Sequence, residues 1–318
     1  MGSRKPLAGL PVKPIQFPDG SYYAPGPIDK LHRAAEDYAR NSGIPYNPVR
    51  TYVQAEPERA KRIAAAFDAM PHDPEDPRVR ASYQALADET LGQYRALKDA
   101  GYKFDFIPPG AEDPYAASPR MGGADLAKNN HLWVFPTDTG FGTSTADIAK
   151  QHPLLALTNE YVNGKQLRVN DIFRIVHDMF GHYKEGTGFR ATGEENAWRS
   201  HAGMYSDLAR PAMTSETRGQ NSWVNFGPHA EANKGASGAD TIYAENKAGL
   251  LPEWAWENGR LDPVQEAADK IKGGTEPTPK EGFNPAPLMQ SQGSRTLSRE
   301  TGAGGGAPDL EAIRVRGR

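Results

Sequence analysis

Apolar residues recur at helical spacing through the first hundred positions of the chain. A first helix is predicted over 29–40 and a second over 56–70, where Ala60, Ile63, Phe67 and Met70 follow 3-4-3 spacing behind a proline in the first turn. The clearest stripe is Val79, Tyr83, Leu86, Thr90, Tyr94 and Leu97, which predicts a helix over 77–100 that ends at Gly101 and Tyr102. Two short β-like runs follow, 103–107 and 131–135, separated by a Pro/Gly loop over 108–123. The stretch 137–144, TDTGFGTS, reads as a mobile loop; as a phosphate cradle it lacks the lysine that should follow its glycines. A strong helix is then predicted over 169–181, with Asn170 as its cap, and another over 194–208. Pro211 opens a further helix that runs through Glu216 and stops near Gly219, and a last amphipathic piece covers 241–250.

This pattern predicts a mainly α fold of the α+β kind, with one helical domain over 28–272 and a small β element. Residues 1–27, rich in Pro and Gly, read as an extended, flexible arm; the Gly/Pro-rich tail over 273–318 reads as disordered. Composition agrees, since only 37% of residues are hydrophobic while 33 are glycine and 27 proline, which implies much irregular backbone. No cysteine is present, so disulfides, thiolate nucleophiles and Cys-based metal sites are excluded. A net charge of −3 offers no long-range positive field for nucleic acid. Neither a secretory signal nor an apolar run of membrane-spanning length stands out, so a cytoplasmic protein without a membrane partner is expected.

Candidate chemistry gathers in HDMFGHYKEGTGFRATGEENAWRSH, from His177 to His201. His177 and His182 are five positions apart, about 140° of rotation on an α-helix, so they converge only if the helix ends between them; Gly181 is the residue expected to end it. Glu194, Trp198, His201 and Tyr205 share one stripe of the next helix, which turns Glu195 toward solvent. Further on, SETRGQNSWVNFGP sets Glu216, Arg218, Gln220, Asn221 and Asn225 among aromatics, where polar groups need partners. Two histidines and a carboxylate can hold a ferrous ion and leave positions open, and His177, His182 and Glu216 are the set read this way. Glu194 and His201 are alternative ligands or acid/base groups, and Arg218 is placed as the anchor of an anionic substrate. The competing reading makes the cluster a buried polar network that fixes three helices. His32, His72, His152 and His229 read as ordinary surface residues, and His131 stays undecided. The spacing is not H-E-x-x-H, which disfavours a zinc protease.

The segment HDMFGH resembles the H-[DE]-x-x-G-H iron-binding segment of the pterin-dependent aromatic amino acid hydroxylases. By that resemblance His177 and His182 are iron ligands. Glu216, 34 positions after His182, is the best-spaced match for the third. The stretch 170–228 also looks like uncharacterised proteins of bacteriophages and prophages, in which HDxFGH and ETRGQNSWVNFGP occur together. The function expected is therefore that of an iron(II) oxygenase, hydroxylase-like, acting on a small or nucleotide-like substrate. A zinc- or manganese-dependent hydrolase is the first alternative. The second is a non-enzymatic phage structural or interaction protein, placed in the virion or self-associating through its terminal arms.

Overall fold

A computed structural model describes residues 4–11, 13–17, 19–139, 141, 151–237, 240–256 and 271. The chain is mainly helical, with three two-stranded sheets among the described residues. Three helices open the body as the apolar spacing requires: α1 (Asp29–Ser42), α2 (Pro57–Ala69) and α3 (Pro77–Asp99). Asp76 caps α3, its carboxylate accepting from the backbone N–H groups of Arg78 and Val79, and Pro77 fills a first-turn position where no N–H is needed. All six stripe residues of α3 are buried. The helix forms the centre of the main core, against which α1 and two later helices, α5 (Val169–His177) and α7 (Arg210–Thr214), pack.

The β-like runs form β3 (Lys103–Phe106) and β4 (His131–Val134), paired in parallel with Lys103 opposite His131. Parallel pairing needs a crossover, and α4 (Arg120–Asn129), which begins within the last residues of the loop expected over 108–123, supplies it. A hairpin absent from the pattern reading joins β5 (Leu157–Val162) to β6 (Lys165–Arg168). Its turn is Asn163-Gly164, both at positive φ (49° and 80°), the chemistry of a two-residue hairpin turn. The N-terminal arm is partly docked. β1 (Ile15–Gln16) pairs with β2 (Tyr22–Tyr23), and Leu7 is buried.

Two helices depart from expectation in the same way. α5 does not stop at Gly181 but continues as a π-helical turn (Asp178–Tyr183), in which the Lys184 N–H donates to the Met179 carbonyl five residues back, at 2.8 Å. Asp171, not Asn170, serves its start, accepting from the Arg168 N–H at 2.8 Å. Likewise α7 runs past Gly219 through a second π-helical turn (Ser215–Gly219) into α8 (Gln220–Phe226). Gly219 serves close packing there, because an added methyl would meet Phe67 at 2.8 Å and Leu251 at 3.0 Å. Helix α6 (Ala191–Ala202) lies between these broken helices and packs on both π turns, while α9 (Ala230–Asn233) is a short final piece. A second apolar cluster joins α2 to α8 through Ile63, Phe67, Trp223, Leu251 and Trp256. The amphipathic segment 241–250 packs without regular secondary structure. Half of 137–144 (140 and 142–144), and the tail beyond 272, lie outside the described residues. No helix among the described residues is long and apolar enough to cross a membrane.

Candidate metal centre

The π-helical turn answers the spacing problem posed by His177 and His182. In such a turn the hydrogen bonds join residues five apart, so a pair at i and i+5 falls on one face. Their rings meet edge to face with centroids 5.2 Å apart. Gly181 is still required, for a different reason than helix termination. A methyl group there would lie 3.2 Å from the Ala197 carbonyl of α6 and 3.2 Å from the His177 ring. The glycine lets α6 approach, and α6 brings Glu194.

One nitrogen of each histidine and one Glu194 carboxylate oxygen all lie within 4.8 Å of one another. His182 Nε2 is 3.4 Å and His177 Nε2 3.9 Å from Glu194 Oε2. Donors bonded to one ion at about 2.1 Å sit roughly 3 to 3.5 Å apart, so the two histidine–Glu194 gaps need close by only a few tenths of an ångström. The other ring nitrogens face hydrogen-bond partners. His182 Nδ1 donates to the Gly188 carbonyl at 3.1 Å, which leaves the Nε2 lone pair pointing at Glu194. His177 Nδ1 lies 3.1 Å from His201 Nδ1, and His201 Nε2 lies 2.7 Å from Gln93 Oε1. Phe189 stacks on His182 at 4.0 Å and Phe173 on His177 at 6.1 Å. His182 is 1% exposed while Glu194 keeps 23%, so the cluster is walled on one side and open on the other.

Electrostatics follow from this convergence. Burial pushes the Glu194 carboxyl up, but the charge and hydrogen bonds of His182 and His177 outweigh it and hold the group well below the usual carboxylate range. Burial lowers His182, and the Glu194 carboxylate more than reverses that, so its pKa ends above the ordinary value. Burial, and then the like charges of His177 and Lys184, keep His201 far below its ordinary value. A cation, whether proton or metal, is thus favoured between His182 and Glu194.

Glu216 is not in this cluster. It lies on the second π-helical turn, where Tyr83 Oη and Gln220 Nε2 (2.8 Å) donate to its carboxylate and His152 Nε2 stands 3.2 Å away. Its spacing matched, but α6 lies closer to the histidines, so Glu194 is the carboxylate that reaches them. Arg218 is also committed elsewhere. Its guanidinium holds Glu195 through Nε (2.9 Å) and Nη2, donates to the Ala255 carbonyl at 2.8 Å and lies 3.9 Å over the Trp198 ring. That pairing removes it as an anion anchor at the cluster and corrects the view of Glu195 as a solvent-facing residue. Trp198 itself donates to Thr214 Oγ1 at 3.0 Å.

Among the histidines expected at the surface, His229 is exposed. His32 is buried against Glu185 at 3.1 Å, His152 is buried beside Glu216, and His72 is half-buried. His131 bridges two carboxylates, Asp125 (2.7 Å) and Asp105 (3.1 Å). Pattern reading missed Gln93, although 79, 83, 86, 90, 93 and 97 continue a strict 4-3 alternation and a buried amide on a core stripe needs partners. It also missed Lys184, fully buried two positions after His182. Comparison with protein-family models, curated proteins and solved structures returned no match.

Proposed function

We propose that the chain is a metal-dependent enzyme whose single divalent cation is held by His177 Nε2, His182 Nε2 and Glu194. The observation that carries this reading is the aim of three acceptors at one another, with the His182 tautomer set by the Gly188 carbonyl. Two histidines and one carboxylate, reached from one open side, suit non-haem iron(II), and dioxygen activation for hydroxylation of an organic substrate is the chemistry that iron supplies when bound. The chain's own residues do the rest. Glu194 offsets the positive charge, His182 is held by Gly188 and covered by Phe189, and Phe173 lays an apolar ring against His177.

Protein purified anaerobically and supplied with iron should bind about one iron per chain, and His177→Ala should abolish that binding. A preparation that takes up no divalent metal, with His177→Ala indistinguishable from the parent, would remove the proposal. The same donor set serves zinc in hydrolases. Competition among iron, zinc and manganese, with dioxygen uptake as the second readout, separates an oxygenase from a hydrolase.

A further inference from the structure

Among the metal-ligand candidates, His182 has a conventional support, a backbone carbonyl, whereas His177 has another imidazole. That imidazole belongs to His201, 0% exposed, and behind it lies Gln93 of α3, also 0% exposed. The hydrogen-bond direction along this line can be read from its buried end. Gln93 Nε2 donates to the Met204 carbonyl at 3.3 Å, and the Tyr38 and Tyr205 hydroxyls lie beside the same amide. The amide oxygen therefore faces His201 and can only accept. His201 Nε2, 2.7 Å from it, must carry the proton. A neutral His201 then has a bare Nδ1, which accepts from His177 Nδ1–H at 3.1 Å. The outcome is fixed at the far end: His177 is left with its Nε2 lone pair facing His182 and Glu194. Turning the His201 ring or the Gln93 amide over would set two N–H groups or two lone pairs against each other between side chains that are 0% exposed.

We propose that Gln93 and His201 form a directed hydrogen-bond relay that holds His177 in its Nδ1–H tautomer and so makes Nε2 the metal-binding atom. The inference rests on the metal-centre reading above for its function, though the tautomer itself does not require a metal. Gln93 and His201 are positioning residues, since both act through His177. Supports of this kind change metal affinity by about 10- to 100-fold when removed. Gln93 acts through both ends of its amide, the oxygen toward His201 and the nitrogen toward the Met204 carbonyl, so an apolar isostere breaks the relay.

The test has two arms on the full chain. Nitrogen-15 NMR of the metal-free protein at neutral pH should show His201 protonated at Nε2 and His177 protonated at Nδ1. The opposite tautomer at either ring overturns the relay, whether or not the protein binds metal. The second arm is titration with Co(II) alone. Gln93→Leu and His201→Phe should weaken binding by about 10- to 100-fold, and the exchangeable Nδ1–H signal of cobalt-bound His177 should be lost in Gln93→Leu. Parent-like affinity and spectrum in both disruptive variants would refute the relay and leave the metal centre standing. Failure of the parent to bind cobalt, zinc or iron would refute the centre, with the tautomers still deciding the relay.

Discussion

A carboxylate and two imidazole nitrogens pointed at one another are mutually repulsive until a cation lies between them, and this makes Glu194 the residue on which the centre turns. Glu194→Gln should therefore lower metal affinity by at least about tenfold, measured by titration with Fe(II) or Zn(II). Glu216→Gln should leave that affinity unchanged. It should instead cost about 1 to 3 kcal/mol of stability in urea denaturation, because Tyr83, Gln220 and His152 lose a buried acceptor. The reverse pattern would return Glu216 to the ligand set. Gly181 is the other residue with a sharp requirement. In Gly181→Ala the new methyl would press on both the Ala197 carbonyl and the His177 ring at 3.2 Å, so α6 and the histidine must both give way. A stability loss of about 1 to 3 kcal/mol is expected, together with weaker metal binding. Unchanged binding would show that the approach of α6 does not set the site.

At the scale of elements, the pattern of apolar positions located α1, α2 and α3, because a long stripe at helical spacing has few other ways to be buried. The convergence of His177 and His182 was legible as a need, but its means was not. Whether a helix containing glycine ends, or widens into a π-helical turn, depends on what packs beside it, and here α6 occupies that place. For the same reason two carboxylates at plausible spacing, Glu194 and Glu216, could not be separated before the helices were docked. The hairpin was different, since Asn163-Gly164 is a local turn signal that needs no tertiary information. The start of α6 carries its own prediction. Gly193 sits against the backbone of Gly188, too close for any side chain, and the Gly188 carbonyl is what His182 donates to. Gly193→Ala should push that carbonyl away, so it should weaken metal binding through His182 while leaving the hairpin and α3 intact. Titration and far-UV circular dichroism read the two effects separately. A variant with full affinity would show that Gly188 does not position His182.

On the scale of the whole molecule, the segment bearing the centre is tied to the opening helix through a buried ionic network. Lys184, 0% exposed, donates to Tyr46 Oη at 2.6 Å and to Glu185 at 3.1 Å, while His32 of α1 lies 3.1 Å from the other Glu185 oxygen. The Ile28 N–H adds a backbone bond to the Lys184 carbonyl at 3.1 Å. Burial pushes the Glu185 carboxyl up, but the hydrogen bond to His32 and the charge of Lys184 outweigh it, so its pKa lies below the ordinary value. A depressed carboxyl contributes stability that is present above the unfolded-state pKa of about 4.3 and is lost as pH falls through the folded value. Glu185→Gln removes this contribution and strands the Lys184 ammonium, so it should cost about 3 to 5 kcal/mol at neutral pH. The gap between parent and variant should narrow as pH falls below about 4, where the parent's Glu185 is itself becoming neutral. Urea denaturation of the metal-free proteins across that range provides the test. Two curves that stay parallel into acid would show that Glu185 is not the charged partner holding Lys184.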